Sequence, residues 1–399
     1  MQSSFDATRT VDSTQIFEGV EDTLLDDLFL DQMLNEYVTA VRGGAQYIFQ
    51  SERFSSVAGF QLLHQDPDRN EDSVITEDSL DELGGFGLRL LSASSTSVDS
   101  NDFYLYPTFH VLPWLDLTAG IVYTDLENEE REVPPFIEGS SSQTKWSPKT
   151  GITARPFTNL TLRTAYFESL QKSSLEDQIS IEPTLIGGIT QRFNDLSGTQ
   201  SRNYGVGADY KIAAETYFGA EYLRRHLTQP QVSANTEIVT DIDNQEQYTN
   251  IAIDERYDLH LNQDFIRTYV YQVFSPSLVG TLDYRYAYED LTDPDIGNSL
   301  EMQRAAAQLR YFASNGVFTF GRTAWLQQHG VDNPFLDGNT ESATLLDAGI
   351  GYRLPNRRGI VQFEVLNITD QDFNFDQSRG FQEFVSSGWG LRLVAAVNF

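Results

Sequence analysis

Hydrophobic and polar residues alternate along several stretches of this chain. In the segment 281–289, Leu and Tyr occupy all the even positions. The odd positions hold Thr, Asp, Arg, Ala and Glu. The segments 203–212, 347–354 and 389–399 repeat this pattern. A period of two predicts β-strands with one apolar and one polar face, and about 16 to 18 such strands are predicted after residue 35.

The polar faces of these strands repeatedly carry charges and glycines, while the apolar faces carry many aromatic residues. So many long strands would need a very large soluble sandwich. In a membrane barrel, by contrast, the apolar face meets lipid and the charged face meets a wet lumen. The pattern therefore predicts an all-β fold, a transmembrane antiparallel up-and-down β-barrel with Tyr, Phe and Trp in interfacial girdles.

The predicted connections alternate between short turns and long polar segments. The short ones contain turn-forming residues and lie at 155–159, 275–277, 314–316 and 355–359. The long ones are acidic and lie at 66–82, 125–144, 229–245, 290–300, 331–341 and 370–387. Bacterial barrels have short periplasmic turns and longer extracellular loops, so this alternation supports the barrel.

Residues 1–35 lack the alternation. A spacing like one face of a short helix is found instead at Leu24, Leu25, Leu28, Leu34 and Tyr37. We predict a linker or short helical N-terminal segment over 1–35 and the barrel over 36–399. No signal peptide is recognisable, yet an outer-membrane protein must be exported. We therefore expect a C-terminal piece of a longer precursor, with a periplasmic N-terminal domain of that precursor as a partner.

Composition excludes several other classes of function. The 399 residues include 58 Asp and Glu against 27 Lys and Arg, which gives a net charge of −31, and there is no Cys. Such acidity argues against a nucleic-acid partner, because that binding depends on Lys and Arg contacts to phosphate. The lack of Cys excludes disulfides, thiolate nucleophiles and zinc–thiolate sites.

Signals for catalysis or metal binding are weak. The five histidines stand apart at His64, His110, His226, His260 and His329. No two of them have a close metal-ligand spacing, and no Gly-x-Ser-x-Gly nucleophile elbow is present. We predict that the chain is not an enzyme and that it binds no metal and no cofactor.

Two stretches of the sequence resemble the barrel of TonB-dependent receptors. One is 146–166, in which Ser-Pro-Lys precedes a predicted turn and Asn-Leu-Thr-Leu-Arg follows it. The other is 359–373, which is similar to the near-terminal strand and turn of that family. A middle stretch, 181–207, resembles barrels fused behind tetratricopeptide repeats in Gram-negative outer-membrane proteins. Neither the plug nor the TonB box of the receptors is recognisable, and their barrels have about 22 strands.

The resemblance implies a location in the bacterial outer membrane and a role in transport. It also implies contact with outer-membrane lipids and lipopolysaccharide, and recognition by the barrel-assembly machinery. Phe399, the final residue, fits the C-terminal aromatic signal by which outer-membrane barrels are recognised for assembly.

The polar strand faces supply candidate lumen-lining residues. These are Arg163, Asp209, Lys211, Glu221, Asp283, Arg285, Glu289, Arg310, Arg353, Glu364 and Arg392, with Arg225 in the same phase. We expect them either to line an open conduit and set its selectivity, or to form cross-strand salt bridges that fill a closed lumen.

An acidic loop is a second candidate site. Its carboxylates are Asp66, Asp68, Glu71, Asp72, Asp78, Asp81 and Glu82. Hard cations such as Ca²⁺ bind several oxygen ligands of this kind, so the loop is a candidate for cation contact. The spacing does not match an EF-hand, and a solvated, self-repelling loop is the alternative.

Together these features predict a porin-like, TonB-receptor-like barrel that conducts or takes up a solute passively across the outer membrane. Two alternatives stay open. In one, a closed barrel anchors a periplasmic repeat domain. In the other, the barrel is a surface-binding module whose long loops capture a ligand.

Overall fold

The computed structural model describes residues 2–13, 28–77, 88–133, 137–172, 182–193, 195–235, 253–291, 298–331, 340–355, 358–373 and 388–397. The strands in these ranges are β1 (Gln2–Ser13), β2 (Leu28–Gln50), β3 (Phe54–Glu77), β4 (Leu88–Leu112), β5 (Leu115–Val133), β6 (Ile137–Phe157), β7 (Leu160–Leu170), β8 (Leu185–Ile186), β9 (Ile189–Thr190), β10 (Gln200–Ala213), β11 (Thr216–Asn235), β12 (Ile253–Ser275), β13 (Leu278–Leu291), β14 (Asn298–Phe312), β15 (Val317–Val331), β16 (Thr340–Arg353), β17 (Gly359–Leu366) and β18 (Gly390–Val397). Within the same ranges, no helix is long and apolar enough to cross a membrane.

Sixteen of the strands form one sheet, in chain order from β1 to β18, and β8 pairs with β9 in a separate hairpin. All the pairings are antiparallel, and β10 lies directly beside β7. This order confirms the predicted all-β, antiparallel up-and-down fold. In the part of the chain that the structure describes, the edge strands β1 and β18 pair only with β2 and β17.

The two faces of the sheet differ as the alternation predicts. In β13, the Leu282 side chain is 57% exposed, whereas Glu289 on the opposite face is buried. Arg225 in β11 shares the face of Glu289 and is 1% exposed. We call the face with Glu289 and Arg225 the inner face, and the face with Leu282 the outer face. In a soluble domain most apolar side chains are buried and most charged ones are exposed. The opposite distribution in this sheet is expected where an outer face meets lipid.

Short turns join the strands at one end of the sheet, as the sequence predicts. They occupy 51–53, 113–114, 158–159, 214–215, 276–277, 313–316 and 354–358. In one of them, Gly316 has a φ of 92° and the Asn315 Oδ1 accepts a hydrogen bond from the Val317 amide at 3.1 Å. Longer connections lie at the other end, among them 171–199 between β7 and β10.

The acidic loop predicted at 66–82 is partly wrong, because β3 continues to Glu77. Asp66, Asp68, Glu71 and Asp72 therefore lie in a strand, while Asp78, Asp81 and Glu82 lie outside the described residues. The predicted loop at 125–144 is likewise largely strand, in β5 and β6. Ladder hydrogen bonds extend past the apolar band of a barrel, where both strand faces meet water and the hydrophobic alternation disappears.

The helix predicted near the N-terminus is absent from the described residues. Leu28, Leu34 and Tyr37 belong to β2, which pairs with both β1 and β3. Leu24 and Leu25 lie outside the described residues. A helical spacing over so few residues carries little weight, because short isolated helices are marginal, while sheet pairing satisfies every backbone group. The domain division at residue 36 stays a prediction.

Some aromatic residues lie on the inner face instead of the outer one. Phe318 and Phe320 in β15 are buried there, directly opposite Gly351 and Gly349 of β16. A Cβ at Gly349 would overlap the Phe320 ring and lie 2.9 Å from the carbonyl oxygen of Phe363. The glycines of β16 therefore provide the space in which the two rings pack.

We expect Gly349→Val to destabilise the sheet by about 1–3 kcal/mol, the usual cost of overpacking a filled site. Gly321→Val is the matched control, since nothing lies within 4 Å of a Cβ at Gly321. Urea unfolding of both variants in lipid vesicles, followed by Trp fluorescence, checks this. Equal unfolding midpoints for the two variants would contradict the packing role of Gly349.

Candidate functional site: the inner face

The connection between β7 and β10 folds back onto the inner face. We call its described part, residues 182–193 and 195–199, the inner segment. Ile186 and Ile189 are fully buried in a cluster with Phe167 of β7, Leu223 of β11 and Phe265 of β12. The inner segment therefore covers the middle of the sheet through apolar contacts, on a face that carries both apolar clusters and charged side chains.

A pair of glycines allows the segment to approach the sheet closely. Gly187 and Gly188 form the turn of the β8–β9 hairpin with φ values of 54° and 84°, which favour glycine. A Cβ at Gly151 of β6 would lie 2.5 Å from the backbone of Gly187. Arg163 of β7 donates a hydrogen bond from Nη1 to the carbonyl oxygen of Gly188 at 2.6 Å. Backbone thus packs against backbone here, and an arginine fixes the turn.

Buried ion pairs hold the start of the inner segment. The Nζ of Lys149 in β6 lies 2.6 Å from the Oε1 of Glu182, and the Nζ of Lys172 lies 3.8 Å from its Oε2. Lys172 also contacts Asp102 of β4 at 3.0 Å. Burial tends to raise the pKa of Glu182, but Lys149 and Lys172 outweigh it and lower this pKa to about 2. The carboxylate is therefore ionised, and the tyrosine hydroxyl of Tyr106 donates to it as well.

Arg225 holds the end of the inner segment. Its guanidinium forms an ion pair with Asp195, in which the Nη1–Oδ1 distance is 3.0 Å. The same group donates to the side-chain oxygens of Gln263 at 2.9 Å and Asn203 at 3.0 Å. An arginine buried to this degree needs such partners, because an uncompensated charge in a low-dielectric site is costly.

Several of the predicted lumen-lining residues come together on the inner face. Arg163 lies 2.9 Å from both Asp209 of β10 and Glu221 of β11. Arg392 of β18 pairs with Glu364 of β17. These contacts have the form of the cross-strand salt bridges that were one of the two predicted uses of these residues.

Other predicted residues make different contacts. Lys211 lies over the ring of Tyr217 at 5.3 Å from Nζ to centroid, and Arg353 over Phe312 at 4.7 Å from Cζ. Arg310 lies over the rings of Phe318 and Phe320 at 5.4 and 5.1 Å. Glu289 accepts a hydrogen bond from the Gln263 amide and is buried. Whether any of these residues line a passage stays a prediction.

An arginine row on β12, β13 and β14 was missed by the sequence analysis, apart from its central member. Arg267, Arg285 and Arg304 lie directly opposite one another in the strand register. All three surround Asp283, at 3.1, 2.8 and 3.4 Å respectively. Phe265, Tyr269 and Tyr271 share the parity of Arg267 and make its face resemble an apolar one. The register that aligns the row cannot be read from one strand.

Charge is distributed unevenly over the inner face. On β12 to β18, the inward strand positions hold the arginines Arg267, Arg285, Arg304, Arg310, Arg322, Arg353 and Arg392, and the carboxylates Glu255, Asp283, Glu289, Glu341, Asp347 and Glu364. Arginines therefore outnumber carboxylates here, in a chain with a net charge of −31. This part of the inner face therefore carries a small local excess of positive charge.

Of the residues in the predicted cation site, Asp66 has a described side chain. His64 lies 2.8 Å from Asp99 and 3.0 Å from Asp66, at exposed positions of β3 and β4. Among the described residues, no group of three or more His, Asp or Glu side chains is arranged to hold a metal ion. A cation contact at the remaining acidic residues stays a prediction.

Comparison with known proteins gave one family and many similar structures. A family model described as TonB dependent receptor-like, beta-barrel matches residues 3–368. A search of curated protein sequences gave no match. The predicted resemblance to this family is confirmed, whereas the likeness to the tetratricopeptide-fused subgroup stays a prediction.

Three of the similar solved structures show the range of the likeness. The FrpB iron transporter from Neisseria meningitidis has a TM-score of 0.54 and 10% identity, over 98% of this chain and 67% of its own. BauA, the ferric preacinetobactin receptor from Acinetobacter baumannii, has a TM-score of 0.54 and 12% identity, over 92% and 55%. Fiu, the ferric-catecholate import receptor from E. coli K12, has a TM-score of 0.50 and 13% identity, over 93% and 55%. The chain thus spans little more than half the length of the last two, and the likeness at these identities is one of fold.

We expect Glu182→Gln to destabilise the protein by about 3–5 kcal/mol, because it leaves Lys149 and Lys172 buried without their shared carboxylate. The pKa of Glu182 is lower in the folded state than its ordinary value of 4.5. The ionised Glu182 carboxylate therefore contributes to the free energy of unfolding above pH 4.5, and this contribution is lost as the pH falls toward about 2.

Urea unfolding in lipid vesicles between pH 7 and pH 3 measures both effects, with exposed Glu215→Gln in the β10–β11 turn as control. The control should stay within about 0.5 kcal/mol of the unaltered chain. An unfolding free energy of Glu182→Gln equal to that of the control at pH 7 would show that the ion pairs do not hold the inner segment.

Proposed function

Because the chain belongs to the TonB-dependent receptor-like β-barrel family of bacterial outer-membrane proteins, we propose that it forms a passage for anionic solutes across the outer membrane. The proposal concerns a passive route along the inner face. The sequence predicts a passive conduit, and the proposal adds that the solute is anionic.

One observation carries the proposal, namely that the inner segment covers only part of the inner face. Its contacts lie on strands from β4 to β12, through residues such as Lys149, Arg225 and Phe265. Beyond them, Arg267 and Arg285 keep 46% and 38% of their side chains exposed. A charged surface that stays accessible on the face opposite the lipid is what a water-filled route requires.

The excess of arginine over carboxylate on β12 to β18 supports an anionic solute. Charges of one sign that line a confined surface raise the local concentration of the opposite ion and set selectivity. Guanidinium groups also bind carboxylate and phosphate in a bidentate manner. Three of the solved structures that resemble this chain are named as receptors or transporters of iron or of ferric complexes, and a particular solute does not follow from that likeness.

A second function, that of a closed membrane anchor, is supported by the buried ion pairs. The pairs of Lys149 with Glu182 and of Arg225 with Asp195 fill part of the inner face with fixed side chains. If the rest of the face is filled in the same manner, the barrel holds a periplasmic domain in the membrane and conducts nothing.

Conductance separates the two functions. We expect the refolded chain to give steps of defined size in a planar lipid bilayer, with anions favoured over cations. Arg285→Glu should reverse or abolish the anion preference, because it replaces the centre of the arginine row with a carboxylate. The permeability ratio from reversal potentials in a KCl gradient measures this.

Arg53→Glu, at an exposed position of the β2–β3 turn, introduces the same change of charge away from the row and is the control. It should leave the permeability ratio near that of the unaltered chain. A silent bilayer from protein that circular dichroism shows to be folded would overturn the passage and favour the anchor.

A further inference from the structure

Two arginines and three phenylalanines form a cluster on the inner face of β14 to β16. The Cζ of Arg310 lies 5.4 Å from the centroid of the Phe318 ring and 5.1 Å from that of the Phe320 ring. The Cζ of Arg353 lies 4.7 Å from the centroid of the Phe312 ring. The Phe312 and Phe318 rings lie 6.0 Å apart and so connect the two guanidinium groups. We call these five residues the arginine–phenylalanine cluster.

The strand register places the cluster next to the short turns. Arg310 lies directly opposite Phe320. Phe312, the last residue of β14, lies directly opposite Phe318. Arg353 is the last residue of β16. Short turns face the periplasm in bacterial barrels, so the cluster lies at the periplasmic end of the inner face.

Two carboxylates on neighbouring positions of the inner face are engaged by other groups. Glu364 of β17 accepts a hydrogen bond from the Nε of Arg392 at 3.1 Å. Asp347 of β16 accepts one from the Nε of Arg322 at 2.7 Å, and its other oxygen accepts the backbone amide of Asn367 at 2.8 Å. Each of these carboxylates is therefore already compensated by an arginine outside the cluster.

The two arginines of the cluster lie against rings instead of carboxylates. Among the described residues, neither Arg310 nor Arg353 has a carboxylate within ion-pair distance. The Nε of Arg310 is buried and has no hydrogen-bond partner there. A buried donor on a charged group is costly to leave without a partner. This end of the inner face therefore carries two positive charges that the described side chains leave uncompensated.

A guanidinium group that lies over a ring keeps its hydrogen-bond donors. The face of the ring attracts the cation, whereas the N–H groups lie at the edge of the guanidinium plane. That planar fork matches the oxygens of carboxylate and phosphate, and a side chain held in place loses less freedom when it binds. Arg353 is exposed and Arg310 is half-buried. Arg353 is therefore accessible to an anion in the surrounding water.

From these observations we propose that the arginine–phenylalanine cluster binds a small oxyanion, through a carboxylate or phosphate group held by Arg310 and Arg353. The phenylalanines fix the guanidinium groups and do not contact the anion. The site rests on the proposed function in one respect, because an anion that moves along the inner face leaves the barrel at this end.

The cluster is separate from the arginine row of Arg267, Arg285 and Arg304. Arg304 and Arg310 both lie on β14, and at roughly 3.4 Å per residue they are about 20 Å apart along the strand. Charges at that distance are largely screened at an ionic strength of about 0.1 M. Binding at the cluster is therefore measurable without reference to the row.

Equilibrium dialysis of the refolded full chain tests the proposal, in a neutral detergent and sodium chloride of about 0.1 M. The probes are radiolabelled inorganic phosphate and succinate, and we expect saturable binding of one or both. Arg310→Gln and Arg353→Gln should each weaken it about tenfold, the effect of losing one charge-assisted hydrogen bond. Phe312→Leu keeps both charges and should weaken it about threefold, because Arg353 loses the ring that holds it.

Two control variants separate the cluster from other sources of binding. Arg53→Gln removes an exposed arginine of another short turn and should bind the probes like the unaltered chain. Arg285→Glu alters the arginine row and should change the binding by less than about twofold. A loss of binding in Arg285→Glu, or an effect of Arg53→Gln equal to that of Arg353→Gln, would overturn the site, because the anion would then bind elsewhere or follow net charge.

The remaining outcomes distinguish the site from the passage. Unchanged binding in both arginine variants of the cluster, which circular dichroism shows to be folded, would overturn the site. Conductance of the chain without saturable binding of either probe would overturn the site and keep the passage. Saturable binding that depends on Arg353, in a chain whose bilayers are silent, would support the site although the passage fails.

Discussion

The pairing of backbone amides and carbonyls between strands is the constraint on which the structure depends. In hydrocarbon no water can satisfy these groups, so each strand must be hydrogen-bonded to its neighbours. The ladder from β1 to β18 meets this requirement between neighbouring strands and fixes the face to which each side chain points, because successive residues point to opposite faces. Apolar residues such as Leu282 then meet lipid, and polar residues such as Arg225 are directed inward.

A polar inner face creates a second requirement, because charges that leave bulk water need partners. The inner segment supplies them at two points, with Glu182 for Lys149 and Lys172, and with Asp195 for Arg225. Its apolar residues Ile186 and Ile189 close the gap between these points. The segment is therefore more than a connection between two strands, since the ionised side chains of the sheet depend on it for compensation.

The sequence predicts the faces of strands well wherever one face is apolar, as in β10 and β13. It fails where that contrast is missing. Leu28 and Leu34 suggest a helix because both faces of β2 carry apolar residues there, and the acidic half of β3 resembles a loop because neither face does. The contacts of the inner face are harder to predict. The row of Arg267, Arg285 and Arg304 depends on the register of three strands, and the ion pair of Lys149 with Glu182 joins residues that are distant in the sequence.

Side chains alternate between the two faces along a strand, so the position of an arginine in its strand decides which face it lies on and which carboxylate it can contact. Arg225 and Arg224 are neighbours in the sequence, yet Arg225 is buried with Asp195 on the inner face and Arg224 is exposed on the outer face. A register slip of one residue would exchange their faces, so that Arg225 would lose Asp195 and become exposed on the outer face. The net charge of −31 does not describe the inner face, because Arg267, Arg285 and Arg304 surround Asp283 there. The partner that each arginine meets is therefore a property of strand register, which the ladder of backbone hydrogen bonds holds in place.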